Sequence, residues 1–118
     1  NMFAMFYQCG KLLNLDVSNF NMRNVTTTVS MFSGCGSLKS VKLGIWNIEK
    51  LNDVNRMFLN TPSLKEIDLS LLASETYEKD IFKSMLGQIG NITFYVKDSE
   101  CKTLMEAIKP NATVIIKV

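Results

Sequence analysis

The chain has 118 residues, of which 20% are charged and 47% hydrophobic, and its formal net charge is +2. This length suits a single domain, and the scattered Lys and Arg residues argue against a nucleic-acid partner. No apolar run approaches the ~20 residues of a membrane span, so no transmembrane segment is predicted. No signal peptide is visible.

A pattern of apolar residues recurs three times along the chain with a period of 26 residues. The pairs Met5-Phe6, Met31-Phe32 and Met57-Phe58 share this register. The columns that follow them are Cys9, Cys35 and Thr61; Leu12, Leu38 and Leu64; Leu15, Val41 and Ile67; and Val17, Leu43 and Leu69. Because these columns keep one register over three copies, the sequence indicates a repeat protein.

Each copy predicts one short strand followed by a turn and a connector. Alternating apolar and polar residues place strands near residues 13–17, 39–43 and 65–69. Residues 25–32 have the apolar spacing of one or two helical turns. The apolar residues of 48–58 follow the spacing of one helix face more regularly than those of 25–32, so we predict a short helix in that connector.

Longer helices are predicted after the third copy. Ser74 is expected to cap a helix that Gly87 ends, because its apolar residues fall on one face. Ser99 is expected to cap a second helix that Pro110 stops, with Cys101 facing the core. These helices are expected to seal the C-terminal end of the array, as repeat proteins require.

Two further strands are predicted in the same region. Residues 92–96 follow a spacing that repeats the one before the third strand, and residues 113–117 are rich in β-branched side chains. We therefore divide the chain into leucine-rich repeats at 1–72, with the first unit truncated, and a C-terminal capping region at 73–118 that is continuous with them.

The predicted fold class is α/β. The apolar spacing approximates the leucine-rich-repeat frame L-x-x-L-x-L-x-x-N-x-L, with an aromatic residue or Leu in place of the Asn. Parallel strands joined by crossovers on one side form a right-handed coil. We expect a right-handed solenoid of the leucine-rich-repeat type, with a parallel sheet of about five strands and a helical C-terminal cap.

The finer pattern of residues 1–72, MF-x-x-C-x-x-L-x-x-L-D-V-S-x-F-N-x-x-x-V-T, resembles the BspA-like leucine-rich-repeat family of bacterial surface proteins and lipoproteins. Copy one fits best, whereas copy two has Lys42 and Gly44 in place of the Asp and Ser, and copy three lacks the Cys. The resemblance implies an extracellular, cell-surface module for adhesion or protein binding, without catalysis. Its partner would be a protein or host-surface ligand.

The outward-facing side chains of the predicted strands form columns. One column is expected to hold Asp16, Lys42 and Asp68 with Thr93, and the next to hold Ser18, Gly44 and Ser70 with Tyr95. Asp16, Lys42 and Asp68 should form a partly screened ladder of ion pairs. The candidate ligand-binding residues on this face are Asn14, Asp16, Ser18, Lys42, Glu66, Asp68 and Tyr95.

An enzymatic interpretation of the same face is weaker. The chain has no His, and Asp16 and Asp68 would lie roughly 10 Å apart, two strand spacings, with Lys42 between them. That separation suits an inverting glycosidase, but a solvated face of alternating charge explains the residues as well. We predict no enzyme, no cofactor and no metal site, since the cysteines lack metal-ligand spacing.

The three cysteines are predicted to be free thiols. Cys9 and Cys35 should stack one repeat apart, buried and close together. Parallel side chains would hold their Cβ atoms farther apart than the usual ~3.8 Å of a disulfide, although the Cα spacing would permit a bridge.

The first residues match the middle of a repeat, so we interpret the chain as a fragment of a longer protein. The apolar residues Met2, Phe3, Met5 and Phe6 would then form an open N-terminal end, which predicts a homodimer through that end. Two functions remain open for the chain. It is either a surface-exposed binding module or a structural spacer that ends a repeat array and binds no ligand of its own.

Overall fold

The computed structural model describes residues 1–117. Five strands lie at β1 (Asn14–Asp16), β2 (Ser40–Lys42), β3 (Glu66–Asp68), β4 (Thr93–Val96) and β5 (Thr113–Ile116). A 3₁₀ helix, Ser74–Glu78, and helix α1, Asp80–Leu86, separate β3 from β4, and helix α2, Ser99–Ile108, separates β4 from β5. The predicted capping region extends to Val118, which lies outside the described residues.

All five strands form one parallel sheet in chain order. Leu15 lies beside Val41, and Val41 lies beside Ile67, so the 26-residue period of the sequence is the register of the sheet. The predicted strand positions, their direction and their order are confirmed. The architecture is mixed α/β, with the two α-helices confined to residues after β3.

The predicted register of β4 was wrong by two residues. Phe94, not Ile92, pairs with Ile67, and Tyr95 pairs with Asp68. The cause is a turn ahead of the strand, in which the N–H of Ile92 donates to the carbonyl of Gly90 at 3.0 Å and adds length before the strand begins. Tyr95 therefore belongs to the column of Asp16 and Lys42.

The connectors within the three copies contain no helix, contrary to the prediction for residues 48–58. Thr28, Ser30 and Phe32 donate their backbone N–H groups to carbonyls one copy later, at 2.9–3.0 Å. In an α-helix each of these N–H groups would instead donate to the carbonyl four residues earlier in the chain. The apolar residues at 48, 51, 54, 57 and 58 are buried because the turns stack on one another.

The stacked turns form a ladder of backbone hydrogen bonds that all run in one direction. Ala4, Phe6 and Gln8 donate at 2.8 Å to carbonyls of the second copy. The second copy donates to the third in the same way, and in the last of these bonds the Gly34 N–H donates to the carbonyl of Leu59 at 2.8 Å. We call this arrangement the turn ladder. Its bonds use no carbonyl of the first copy and no N–H group of the third copy, so carbonyls lie at its first-copy end and N–H groups at its third-copy end.

Residues with a left-handed backbone recur at matching positions of the turn ladder. They are Ala4, Ser30 and Arg56 in one column, and Gln8, Gly34 and Asn60 in another, with φ between 53° and 76°.

The side chain of Gln88 binds the third copy at the end of the turn ladder. Its Oε1 accepts from Phe58 N at 3.4 Å, and its Nε2 donates to the carbonyl of Val54 at 2.6 Å.

The core contains a column of phenylalanine rings that follows the 26-residue register. Phe32 is fully buried, and its ring centre lies 5.8 Å from that of Phe6 and 5.1 Å from that of Phe58. Trp46 is also buried, and its indole N–H donates to the carbonyl of Val17 at 3.4 Å. Stacked aromatic rings of this kind stabilise neighbouring units beyond the burial of their area.

Within residues 1–117, β1 and β5 are the two edge strands of the sheet. Ile115 and Ile116 remain 42% and 38% exposed. Helix α2 packs against β5 and the 3₁₀ helix. The capping role of these helices stays a prediction.

The caps of the C-terminal helices differ from those predicted. Ser74 begins the 3₁₀ helix instead of capping an α-helix, and α1 starts only at Asp80. Asp98, not Ser99, caps α2 by accepting from the backbone N–H of Cys101 at 2.9 Å. Gly87 follows the end of α1, as predicted.

All three cysteines are free, as predicted. Cys35 and Cys101 are buried, as predicted, but the prediction that Cys9 is buried was wrong, because Cys9 is only half-buried at the outer side of the first copy. The Cys35 thiol donates to the carbonyl of Phe6 at 3.0 Å. Burial raises the pKa of Cys35, and burial together with the Asp98 carboxylate raises the pKa of Cys101 to about 11.

Thiol reactivity should follow this difference in burial. In the native, unreduced protein at pH 8 we expect a thiol reagent to modify Cys9 first, with Cys35 and Cys101 reacting only as the protein opens. Mass spectrometry of the partly labelled protein identifies the modified residue. After denaturation all three thiols should titrate, and a count of one would instead indicate a disulfide.

Tyr77 carries a buried hydroxyl without a partner. Its side chain is 1% exposed, its ring packs edge-on against Phe82 at 5.4 Å, and its hydroxyl has no hydrogen bond within residues 1–117. Burial raises the pKa of this phenol above its ordinary value. An unpaired buried hydroxyl costs roughly 1–3 kcal/mol.

Replacing Tyr77 with Phe should therefore raise the free energy of unfolding, by about 1 kcal/mol. Tyr95→Phe is the matched control, since the Tyr95 hydroxyl lies at the surface and donates to Glu66 at 3.4 Å. The control should change stability by less than about 0.5 kcal/mol in urea denaturation. A clear destabilisation by Tyr77→Phe would mean that the hydroxyl has a partner in solution.

Candidate functional site

The outward side chains of the strands form one polar surface, which we call the strand face. It contains two columns set by the sheet register. Asn14, Ser40, Glu66, Thr93 and Thr113 form the first, and Asp16, Lys42, Asp68, Tyr95 and Ile115 form the second. Six of the seven predicted site residues lie in these columns, and Ser18 follows at the end of β1.

Two carboxylates of the strand face are held by the turn after their own strand. Asp16 accepts the backbone N–H of Ser18 at 2.9 Å, and Asp68 accepts that of Ser70 at 2.8 Å. Short polar side chains form such turns with the backbone two residues ahead. The second copy cannot form this turn, since it has Lys42 and a glycine at the matching positions.

The predicted ladder of ion pairs along Asp16, Lys42 and Asp68 was wrong. Within residues 1–117 Lys42 forms no salt bridge, and Asp68 pairs with Lys117 at 2.5 Å. Lys117 comes from the end of β5, and its ammonium also lies 5.9 Å from the centre of the Tyr95 ring. The two-residue shift of β4 placed Tyr95 between these strands, so the long Lys117 side chain can reach across it.

Both aspartates of this face have a lowered pKa. Hydrogen bonds from Ser18 lower the pKa of Asp16. Burial opposes ionisation of Asp68, but Lys117 and Ser70 outweigh it and lower its pKa, while Asp68 raises the pKa of Lys117. Since neither carboxyl has a raised pKa, neither is suited to donate a proton at neutral pH, as one acid of a glycosidase pair must.

A shallow groove of about 290 Å³ crosses β1, β2 and β3 on the strand face. Its polar lining comes from Asn14, Asp16, Ser40, Lys42, Glu66 and Asp68. Ser40 donates to the side-chain oxygen of Asn14 at 2.5 Å. Lys42 lines the groove on its middle strand and forms no salt bridge within residues 1–117. Its ammonium group is therefore free to pair with an anionic group of a ligand.

The structure brings together five of the predicted residues in this groove, with Ser18 and Tyr95 at its margins. The candidate site residues did not include Ser40 or Lys117. The 26-residue period predicts Ser40 in one column with Asn14 and Glu66, and the sheet register confirms this position. Lys117 could have been found only from the register of β5, because that strand lies outside the 26-residue repeats.

The fold and this surface define a mixed α/β protein whose five-stranded parallel sheet presents residues of both charges. The chain belongs to the family described as Mycoplasma protein of unknown function, DUF285, whose model matches residues 1–93. Comparison with curated proteins and with solved structures gives no significant match.

Two further observations bear on the kind of site. Among residues 1–117, none of the helices has the length and apolar character needed to cross a membrane. The same part of the chain contains no group of three or more Cys, Asp or Glu side chains placed to hold a metal ion.

Proposed function

We propose that this chain is a non-catalytic binding module of a cell-surface protein. In this proposal its three copies are BspA-like leucine-rich repeats in a right-handed solenoid, residues 73–118 are the cap, and the ligand is a protein of the host surface. The observation that carries the proposal is the strand face, where regularly spaced polar side chains from successive units lie in columns on one surface.

The chemistry of the strand face supports binding to a polar protein surface. Asp16 and Lys42 are available to pair with opposite charges, while Asp68 is already paired with Lys117. Tyr95 supplies a half-buried aromatic ring beside them. Tyrosine next to polar groups of both charges is typical of protein interfaces, where charge complementarity selects the partner.

A charge-reversal experiment tests this proposal. Purified extracellular-matrix proteins are immobilised, and binding of the wild-type chain is measured by biolayer interferometry. We expect the double variant Asp16→Lys and Lys42→Glu to weaken binding to a recognised matrix protein at least tenfold. The matched control, Glu49→Lys with Lys50→Glu, changes exposed charges on a connector away from the strand face and should bind as wild type.

The alternative function is that of a spacer or capping segment without a ligand of its own. It predicts no binding to any matrix protein in the panel. Binding that is equally strong in both double variants would instead show a ligand that uses another surface. Either result would contradict the assignment of the strand face as the binding site.

We also propose that the N-terminal end forms a homodimer. Phe3, Met5 and Leu13 are 60%, 45% and 51% exposed, next to β1, an edge strand of the sheet in residues 1–117. Phe3→Asp should shift the sedimentation coefficient toward that of a monomer in analytical ultracentrifugation. Ile115→Asp, in the other edge strand, should leave the dimer intact. A wild-type chain that stays monomeric at high micromolar concentration would contradict the proposal.

A further inference from the structure

The side of β1 that faces away from β2 carries backbone groups without partners in residues 1–117. The carbonyl of Leu13 and the N–H of Val17 both bond toward β2, at 2.7 and 2.9 Å. Backbone groups alternate in direction along a strand, so the N–H and C=O groups of Asn14 and Asp16 point the other way. Because β1 is an edge strand in this part of the chain, these groups are free to pair with another strand.

The side chains of Asn14 and Asp16 add one donor and one acceptor to this edge. Ser40 on β2 donates to Oδ1 of Asn14 at 2.5 Å, so the NH₂ group on the opposite side of that amide faces away from β2. Asp16 accepts the Ser18 N–H through Oδ1 at 2.9 Å, which leaves Oδ2 free. Both side chains are exposed and lie on the same face of the strand, two residues apart.

We propose that the homodimer forms by antiparallel pairing of β1 with β1 of a second copy of this chain. The two-fold axis passes through Leu15, so Asn14 of each chain lies opposite Asp16 of the other. Each of these two pairs exchanges two backbone hydrogen bonds. In each pair the Asn14 amide also donates to the Asp16 carboxylate. This inference rests on the N-terminal homodimer proposed above and specifies how its two chains meet.

Other pairings lack this complementarity. A shift of two residues in either direction places Asn14 or Asp16 opposite its own copy, and for Asp16 this opposes like charges. A shift of one residue turns the polar side chains to the wrong face of the sheet. Pairing of β1 with β5 of a second chain sets Asp16 beside Ile115, which occupies the same column of the strand face and offers no hydrogen bond.

The turn ladder excludes a dimer in which the two ladders meet directly. At its first-copy end the carbonyls of Phe3, Met5 and Tyr7 have no donor within residues 1–117. Carbonyls only accept, so two such rows placed face to face form no hydrogen bonds. The axis through Leu15 avoids this, because it sets each ladder, which precedes β1, beside the segment that follows β1 in the other chain.

The dimer joins the two five-stranded sheets into one. Both strand faces then lie on the same side of the joined sheet, related by the two-fold axis. Asp16 keeps its negative charge, since its new partner is a neutral amide, and Lys42 is not used by the contact. A ligand of the strand face therefore meets two copies of the same groove on one surface.

Exchanging the two residues tests the pairing. Asn14→Asp sets two carboxylates opposite each other in both pairs, and we expect it to raise the dimer dissociation constant about tenfold or more in sedimentation equilibrium. The double variant Asn14→Asp with Asp16→Asn restores one donor and one acceptor to each pair and should dimerise like wild type. Both exchanged side chains keep an oxygen for their bonds to Ser40 and Ser18, so the single chain should fold normally.

The matched control is Asn91→Asp, which adds the same charge at an exposed residue ahead of β4 and should dimerise like wild type. Hydrogen exchange of the wild-type chain provides an independent measurement. The amides of Asn14 and Asp16 should exchange more slowly as the protein concentration rises, whereas the amide of Val17, already bonded to β2, should not change.

The outcomes separate this inference from the homodimer itself. A wild-type chain that stays monomeric contradicts both. A dimer that is weakened by Phe3→Asp but not by Asn14→Asp contradicts the pairing of β1 alone. The same conclusion follows if the double variant fails to recover the affinity of wild type, or if the Asn14 and Asp16 amides exchange equally fast in monomer and dimer.

Discussion

Replacing Gly44 with Ala should lower the free energy of unfolding by roughly 3 kcal/mol, the upper part of the range for overpacking. A Cβ atom at this position would lie 2.1 Å from the carbonyl oxygen of Ser18 and 2.8 Å from its carbonyl carbon. Both contacts are with main chain, which no side-chain rotation can relieve. The backbone of the second copy would have to move away from the first and disturb the pairing of β1 with β2.

Gly36→Ala is the matched control for this prediction, because a Cβ at Gly36 meets no atom within 4 Å. It should leave stability unchanged or raise it by up to about 1 kcal/mol, through the less flexible unfolded chain. Urea denaturation of both variants measures the difference. Equal stabilities would show that the first two copies are farther apart in solution than in this structure.

Replacing Phe32 with Ala should be the most destabilising of the changes considered, at about 3–5 kcal/mol. Phe32 has no exposed surface and stacks between Phe6 and Phe58, so its removal leaves a cavity and separates two neighbouring units. Small domains are stable by only about 5–15 kcal/mol, so this variant could have a large unfolded fraction at 37 °C.

Phe3→Ala provides the comparison for Phe32→Ala, since Phe3 is 60% exposed at the N-terminal end. It should change the free energy of unfolding by less than about 0.5 kcal/mol. Thermal and urea unfolding followed by circular dichroism would measure both variants at a concentration below dimer formation. A small loss for Phe32→Ala would show that the ring column contributes little to the association of units.

The first three strands could be predicted from sequence because the 26-residue period fixes their register directly. Leu15, Val41 and Ile67 share a column in the sequence and in the sheet. The period also predicted burial of Cys35, which lies in the core with Phe32 and Phe58. After β3 the repeated spacing located β4 but gave the wrong register, because the turn before Ile92 shifts the strand by two residues.

The connectors were mispredicted for a physical reason. Apolar residues three or four positions apart are expected for a helix. In a stack of turns, residues with the same spacing are buried against the next copy. The left-handed backbone at Ser30 and Arg56 breaks any helix there, and neither residue type reveals such a conformation from sequence. The stacking of these turns on one another therefore became visible only in the structure.

The side chain of Gln88 has a consequence for how the molecule unfolds. It bonds Phe58 and Val54 across 30 and 34 residues and so ties the segment after α1 to the last stacked turn. Repeats that contact only their neighbours can open one by one from an end. Here the third copy and the C-terminal helices share this link, so they should exchange their protected amides together as one cooperative unit, while the first copy opens more often.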